Sequence, residues 1–111
     1  MTARPWIGRT VTVKVDRPLG SRHPEHGFDY PLNYGSIPGA PGVKGGALDA
    51  YVLGVFEPVR EFTGVCIAVV HRTDHRDDQL IVVPEGRSYS DVQIRRLTDF
   101  QEQWFTSEIW R

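Results

Sequence analysis

The hydrophobic period of this chain changes once, near Ser90, and that change limits what it can fold into. Ahead of Ser90 the pattern is that of strands. Thr10–Asp16 reads TVTVKVD, with Val11, Val13 and Val15 on one side and Thr12, Lys14 and Asp16 on the other, a half-buried strand. Asp49–Phe56 (DAYVLGVF), Thr63–Arg72 (TGVCIAVVHR) and Gln79–Pro84 (QLIVVP) carry further strand signals, the second apolar enough to be buried on both faces. EPVREF reads as a turn, and TDHRDD (Thr73–Asp78) as a short polar hairpin loop. From Ser90 onward the spacing is helical. Ser90 with Gln93 makes a capping box, and Asp91 suits the positive helix end. Ile94, Leu97, Phe100 and Trp104 recur at spacings of three and four. The expectation is a helix from about Ser90 to Phe105 that covers the strands through Leu97, Phe100 and Trp104. Strands first and a helix last predict a mainly β, α+β chain, a small barrel or sandwich.

Length and charge narrow the function classes. The 111 residues predict one domain spanning 1–111, able to bury a core without staples. Thirteen Lys and Arg against fourteen Asp and Glu leave a formal charge of −1. That balance argues against nucleic acid and against a membrane surface as partners. No apolar run approaches the roughly 20 residues of a membrane helix, and MTARPWIGRT has no secretory h-region. The sole cysteine, Cys66, lies in VCIAVV, so no intramolecular disulfide forms. A cytoplasmic protein with Cys66 as a small core residue is expected.

Between the first two strand signals lie about thirty residues rich in Gly and Pro, RPLGSRHPEHGFDYPLNYGSIPGAPGVKGG, read as a long loop. Its aromatics Phe28, Tyr30 and Tyr34 offer surface to pack and argue for order. Asp49 opens a strand, and Asp74 and Asp77 flank a tight turn. Converging, these acids would hold a hard cation; separately, they are good turn residues. Arg17, Arg22, Lys44 and Arg72 stand in or beside loops, as phosphate partners or as solvated charge. The histidines His23, His26, His71 and His75 lack the spacing of a zinc helix. No nucleophile elbow or Walker loop is present.

The order YPLNYGSIPG, a glycine loop ending in LDAYVLGV, GVCIAVVHRTDHRDDQLIVVP and a helix with FQEQWF resembles the soluble family I inorganic pyrophosphatases over residues 10 to 108. The resemblance implies a five-stranded OB-like antiparallel barrel with a C-terminal helix. It makes Asp49 the last acid of the family's DxDPxD loop, and Asp74 and Asp77 the second acidic pair. These three are the implied catalytic acids and Mg2+ ligands, with Tyr34 beside them. Arg17, Tyr30, Lys44 and Trp104 are the implied substrate-binding residues. The departures are severe. Lys44 and Gly46 stand where the first two acids of DxDPxD would be, Gln79 replaces a lysine, and Trp104–Phe105 replaces the family's Tyr-Lys.

Diphosphate hydrolysis needs cations that neutralise the substrate and acidify bound water. The leading expectation is therefore a diverged, shortened pyrophosphatase-like hydrolase, Mg2+-dependent and weak on inorganic diphosphate. Its expected partner is a diphosphate-containing small molecule, with a homo-oligomer left open. The alternative is a repurposed fold whose aromatic, metal-independent pocket binds or acts on a larger small molecule. A third reading is a structural or regulatory subunit without chemistry.

Overall fold

The computed structural model describes residues 3–41 and 46–111. After a turn of 3-10 helix at Arg4–Trp6 come β1 (Thr10–Arg17), β2 (Asn33–Pro41), β3 (Ala47–Val52), β4 (Glu61–Arg72), β5 (Asp77–Val83), α1 (Asp91–Glu102) and β6 (Ser107–Trp110). The strands are ordered β1-β2-β3-β5-β4-β6, and β1 also pairs with β4. That last pairing closes β1 to β5 into a barrel, and β6 extends it beyond β4. The expected five-stranded barrel with a C-terminal helix is what the chain forms. One seam differs from an all-antiparallel barrel, because β3 and β5 run parallel, with Asp49 opposite Gln79 and Val52 opposite Val82. The chain leaves β3, crosses to β4 and returns as β5 between the two, so β5 meets β3 in the same direction.

The glycine- and proline-rich loop is shorter than expected, because Asn33–Pro41 within it form β2. Gly35 explains how such a sequence enters a barrel: a Cβ there would collide with the Lys14 backbone of β1. The strand then bulges between Ile37 and Pro41, which absorbs Pro38 and Gly39.

Because side chains alternate along a strand, the wall buries two faces. Leu48, Ala50 and Val52 of β3 and Leu80 and Val82 of β5 join Val11, Val13 and Ile37 in one core cluster. Tyr51 and Leu53, and Ile81 and Val83, pack into a second cluster with Ile94 of α1. The run CIAVV serves both through a bulge between Cys66 and Ala68: Cys66 and Val69 join the first cluster, Ala68 and Val70 the second. Cys66 is the core residue expected, its thiol pushed up to about 11 by burial.

The helix opens as anticipated. Ser90 N–H donates to Gln93 Oε1 (2.8 Å), and Gln93 N–H donates to Ser90 Oγ (3.1 Å). Its buried stripe matches expectation at Ile94 and at Phe100, which packs against the second cluster, but not at Leu97 or Trp104. Ile94, Thr98 and Glu102 are buried, while Leu97 is 42 % exposed and Trp104 is 53 % exposed. The stripe begins at Ile94 and steps by four, so Leu97 is rotated toward solvent. No helix among the described residues is long and apolar enough to cross a membrane.

Candidate functional site

The cleft lies on the outer face of the barrel, between the end of α1 and the loop that precedes β2. Period two sets its floor. Asp49 shares a strand face with Tyr51, and Tyr34 is Tyr51's partner on β2. On the far side of β3, Asp49 meets Gln79 of β5, and Asp77 of β5 meets Arg72 of β4. The walls carry His23, His26, Phe28 and Tyr30 from the loop, and Gln101, Trp104 and Phe105 from the helix end. Asp16, Arg17 and His75 complete a cleft of about 650 Å³.

A continuous network of hydrogen bonds ties floor to helix. Arg72 grips Glu102 with both prongs of its fork, Nε to Oε1 at 3.0 Å and Nη2 to Oε2 at 2.6 Å. Its Nη1 reaches Asp77 Oδ2 at 3.3 Å, and its guanidinium lies 3.9 Å over the Phe105 ring. Tyr51 Oη donates to Glu102 Oε2 (2.6 Å) and accepts from Gln101 Nε2 (2.9 Å), while Tyr30 Oη donates to Gln101 Oε1 (2.9 Å). Tyr34 Oη donates to Gln79 Oε1 (2.6 Å), and Gln79 Nε2 donates to Asp77 Oδ2 (3.5 Å).

The charges follow from this geometry. Burial lifts the Asp49 carboxyl above the usual carboxylate range, and the like charge of Asp77 adds to it; the polar groups of Gln79 and Tyr34 beside it oppose the lift. Burial also pushes the Tyr34 hydroxyl well up, helped by the Asp49 charge. Tyr30 is raised by burial too, though the nearby Arg17 cation counteracts it. Asp74 has the opposite character: its carboxylate accepts the Thr106 N–H (3.0 Å) and stands 3.2 Å from His75 Nδ1, and these contacts lower its pKa.

The sequence-derived residues therefore separate. Asp49, Tyr34, Tyr30, Arg17 and Trp104 line the cleft. Asp77 sits at its edge as the partner of Arg72. Asp74 is turned to the chain between α1 and β6, where it holds the Thr106 backbone. Lys44 lies outside the described residues. Magnesium demands near-octahedral oxygen ligands, and Asp49, Asp74 and Asp77 do not form such a set. Asp74 accepts the Thr106 N–H, and Asp77 accepts from Arg72 Nη1. Among the described residues no group of three His, Cys, Asp or Glu side chains stands where it could hold a metal.

Two residues central to the network, Arg72 lining the cleft and Glu102 buried behind it, escaped sequence reasoning in this role. Arg72 was one of several loop-side cations, and Glu102 one polar letter within FQEQWF. The signal for Glu102 was its i, i+4 and i+8 spacing from Thr98 and Ile94, which puts a carboxylate in the buried stripe. A buried acid there requires a cation from another element.

The architecture has counterparts among solved structures. The inorganic pyrophosphatase of Ehrlichia chaffeensis superposes with a TM-score of 0.73 at 18% identity, covering 95% of this chain and 86% of that one. The inorganic pyrophosphatase of Helicobacter pylori gives 0.70 at 15% identity, covering 92% and 84%. That of Coxiella burnetii gives 0.68 at 18%, covering 95% and 87%. No protein-family model matches the sequence, and no curated protein matches it. At these identities the likeness is one of fold, and the chain has an inorganic pyrophosphatase-like fold.

Proposed function

We propose that this is a pyrophosphatase-like protein whose cleft takes a diphosphate-containing small molecule larger than inorganic diphosphate, without a magnesium cluster. Magnesium-dependent hydrolysis of inorganic diphosphate is weak or absent. The observation that carries this reading is the Arg72 fork on Glu102 and Asp77. A guanidinium is a permanent cation of fixed geometry. Where it neutralises two carboxylates, those oxygens cease to be ligands for a mobile divalent ion. It cannot acidify a bound water, which is the second task a metal performs in such hydrolysis.

The remaining groups suit binding. Arg17 offers a guanidinium for phosphate oxygens. Tyr30 and Tyr34 share the cleft with it, their ring centroids 5.9 Å apart. Asp49, with its raised pKa, is the acid in the cleft able to exchange a proton nearer neutrality. Asp74 and Asp77 hold the turn and the arginine. Phosphate release from inorganic diphosphate, measured with and without magnesium, tests the reading. Turnover below about 0.1 per second in magnesium is expected, and tens per second, within the ordinary enzyme range, would overturn it.

A further inference from the structure

Two kinds of ring contact stand out around the cleft. Phe100, on α1, meets Phe28, Tyr30 and Tyr51 edge-on, at interplanar angles of 75°, 75° and 82°. Edge-on contact sets the positive ring edge against a negative face and interlocks rings in three dimensions, as interiors do. His26, Phe28 and Trp104 do the opposite. Their planes lie within 4° (His26–Phe28), 20° (His26–Trp104) and 23° (Phe28–Trp104) of one another, with centroids 6.2, 5.2 and 5.7 Å apart. A parallel array has a face on which another flat ring can be laid. Here the array borders the cleft, with Trp104 53 % exposed.

We propose that His26, Phe28 and Trp104 form a ring subsite that takes a planar aromatic group, so that the cleft's ligand is an aromatic compound carrying its diphosphate toward Arg17. A nucleoside diphosphate is the chemical type. The inference rests on the reading of the cleft as a site for diphosphate compounds, and adds the end of the ligand that reading leaves open. Size agrees, because a cleft of about 650 Å³ is of the kind that holds a drug-sized molecule. Charge agrees as well. Arg17 shares the cleft with the array, so one ligand can stack at one end and meet a cation at the other.

Isothermal titration of the intact protein with ADP, adenosine and inorganic diphosphate, in the absence of divalent cations, tests both ideas separately. The expected result is that ADP binds about tenfold or more tightly than inorganic diphosphate, the usual scale of ring stacking on an aromatic side chain. Trp104→Ala should lower that preference about tenfold, and Trp104→Phe should keep most of it. Binding of ADP no tighter than that of inorganic diphosphate would overturn the ring subsite while leaving the diphosphate reading intact. Binding of adenosine without any binding of inorganic diphosphate would support the ring subsite and overturn the diphosphate reading. Binding of none of the three, or an unchanged preference in Trp104→Ala, would overturn the ring subsite.

Discussion

The two sides of the cleft are built on opposite principles. On the strand side, where β2 to β5 meet the buried face of α1, Arg72, Glu102, Tyr51, Gln101, Gln79, Asp77 and Tyr34 form a chain in which each polar group has a protein partner. Most of its members are buried, and its ends reach into the core cluster under α1. On the loop side, His23, His26, Phe28 and Trp104 make ring contacts with one another, and Trp104 stays half open to solvent. A network that satisfies itself serves folding first. An aromatic face left at the mouth of a cleft has surface to give to a ligand. Substitutions on the strand side should therefore cost stability, and those on the loop side should alter binding.

The largest expected effect is at the arginine fork. Glu102→Ala leaves Arg72 buried without its main partner, and breaking a buried pair from one side costs about 3–5 kcal/mol. Urea unfolding checks this, and a loss below about 1 kcal/mol would place the pair outside the core. On the same helix, Ile94→Ala should cost about 2–5 kcal/mol because Ile94 is fully buried. Leu97→Ala, with its side chain 42 % exposed, should cost much less. Equal losses for the two would mean that the buried stripe has been misassigned.

Tyr34 belongs to both sides of the comparison and sharpens it. Tyr34→Phe removes the donor to Gln79 and leaves a buried amide oxygen unpaired, at about 1–3 kcal/mol. A melting shift together with altered ligand binding is the outcome expected of a residue that serves both roles.

A smaller effect has the opposite sign. Asp49 has a folded pKa above its ordinary value, so it favours the fold at pH below the usual carboxylate range. That contribution is lost as pH rises through its folded value. Asp49→Asn should raise the urea midpoint at pH 7 and leave it nearly unchanged at pH 3. A lowered midpoint at both would show that the carboxylate's polar neighbours outweigh its burial. At the loop side, Trp104→Ala should change stability by no more than about 0.5 kcal/mol, as exposed side chains do. A larger loss would make the array part of the core.

Much of this was legible in the chain itself. Alternation in Thr10–Asp16, the doubly apolar run in Thr63–Arg72, and the capping box at Ser90 are local signals. They depend on neighbours two to four residues away, and the barrel and helix follow from them. β2 was hidden because Gly35, Pro38 and Gly39 are poor strand formers by propensity. Only its contact with β1, where a Cβ has no room, makes glycine the right residue. The resemblance placed Asp49, Tyr34, Tyr30, Arg17 and Trp104 together, and they do share one cleft. It also grouped Asp74 with Asp49 and Asp77. Spacing along the chain could not show that the Thr106 N–H, brought in from beyond the helix, would take the Asp74 carboxylate. Sequence alone determined which acids and aromatics were available, because composition and period are written residue by residue. Tertiary structure decided which of them were free to act. A carboxylate's role depends on the cation or N–H that reaches it, and Arg72 reaches Glu102 across 30 residues of chain.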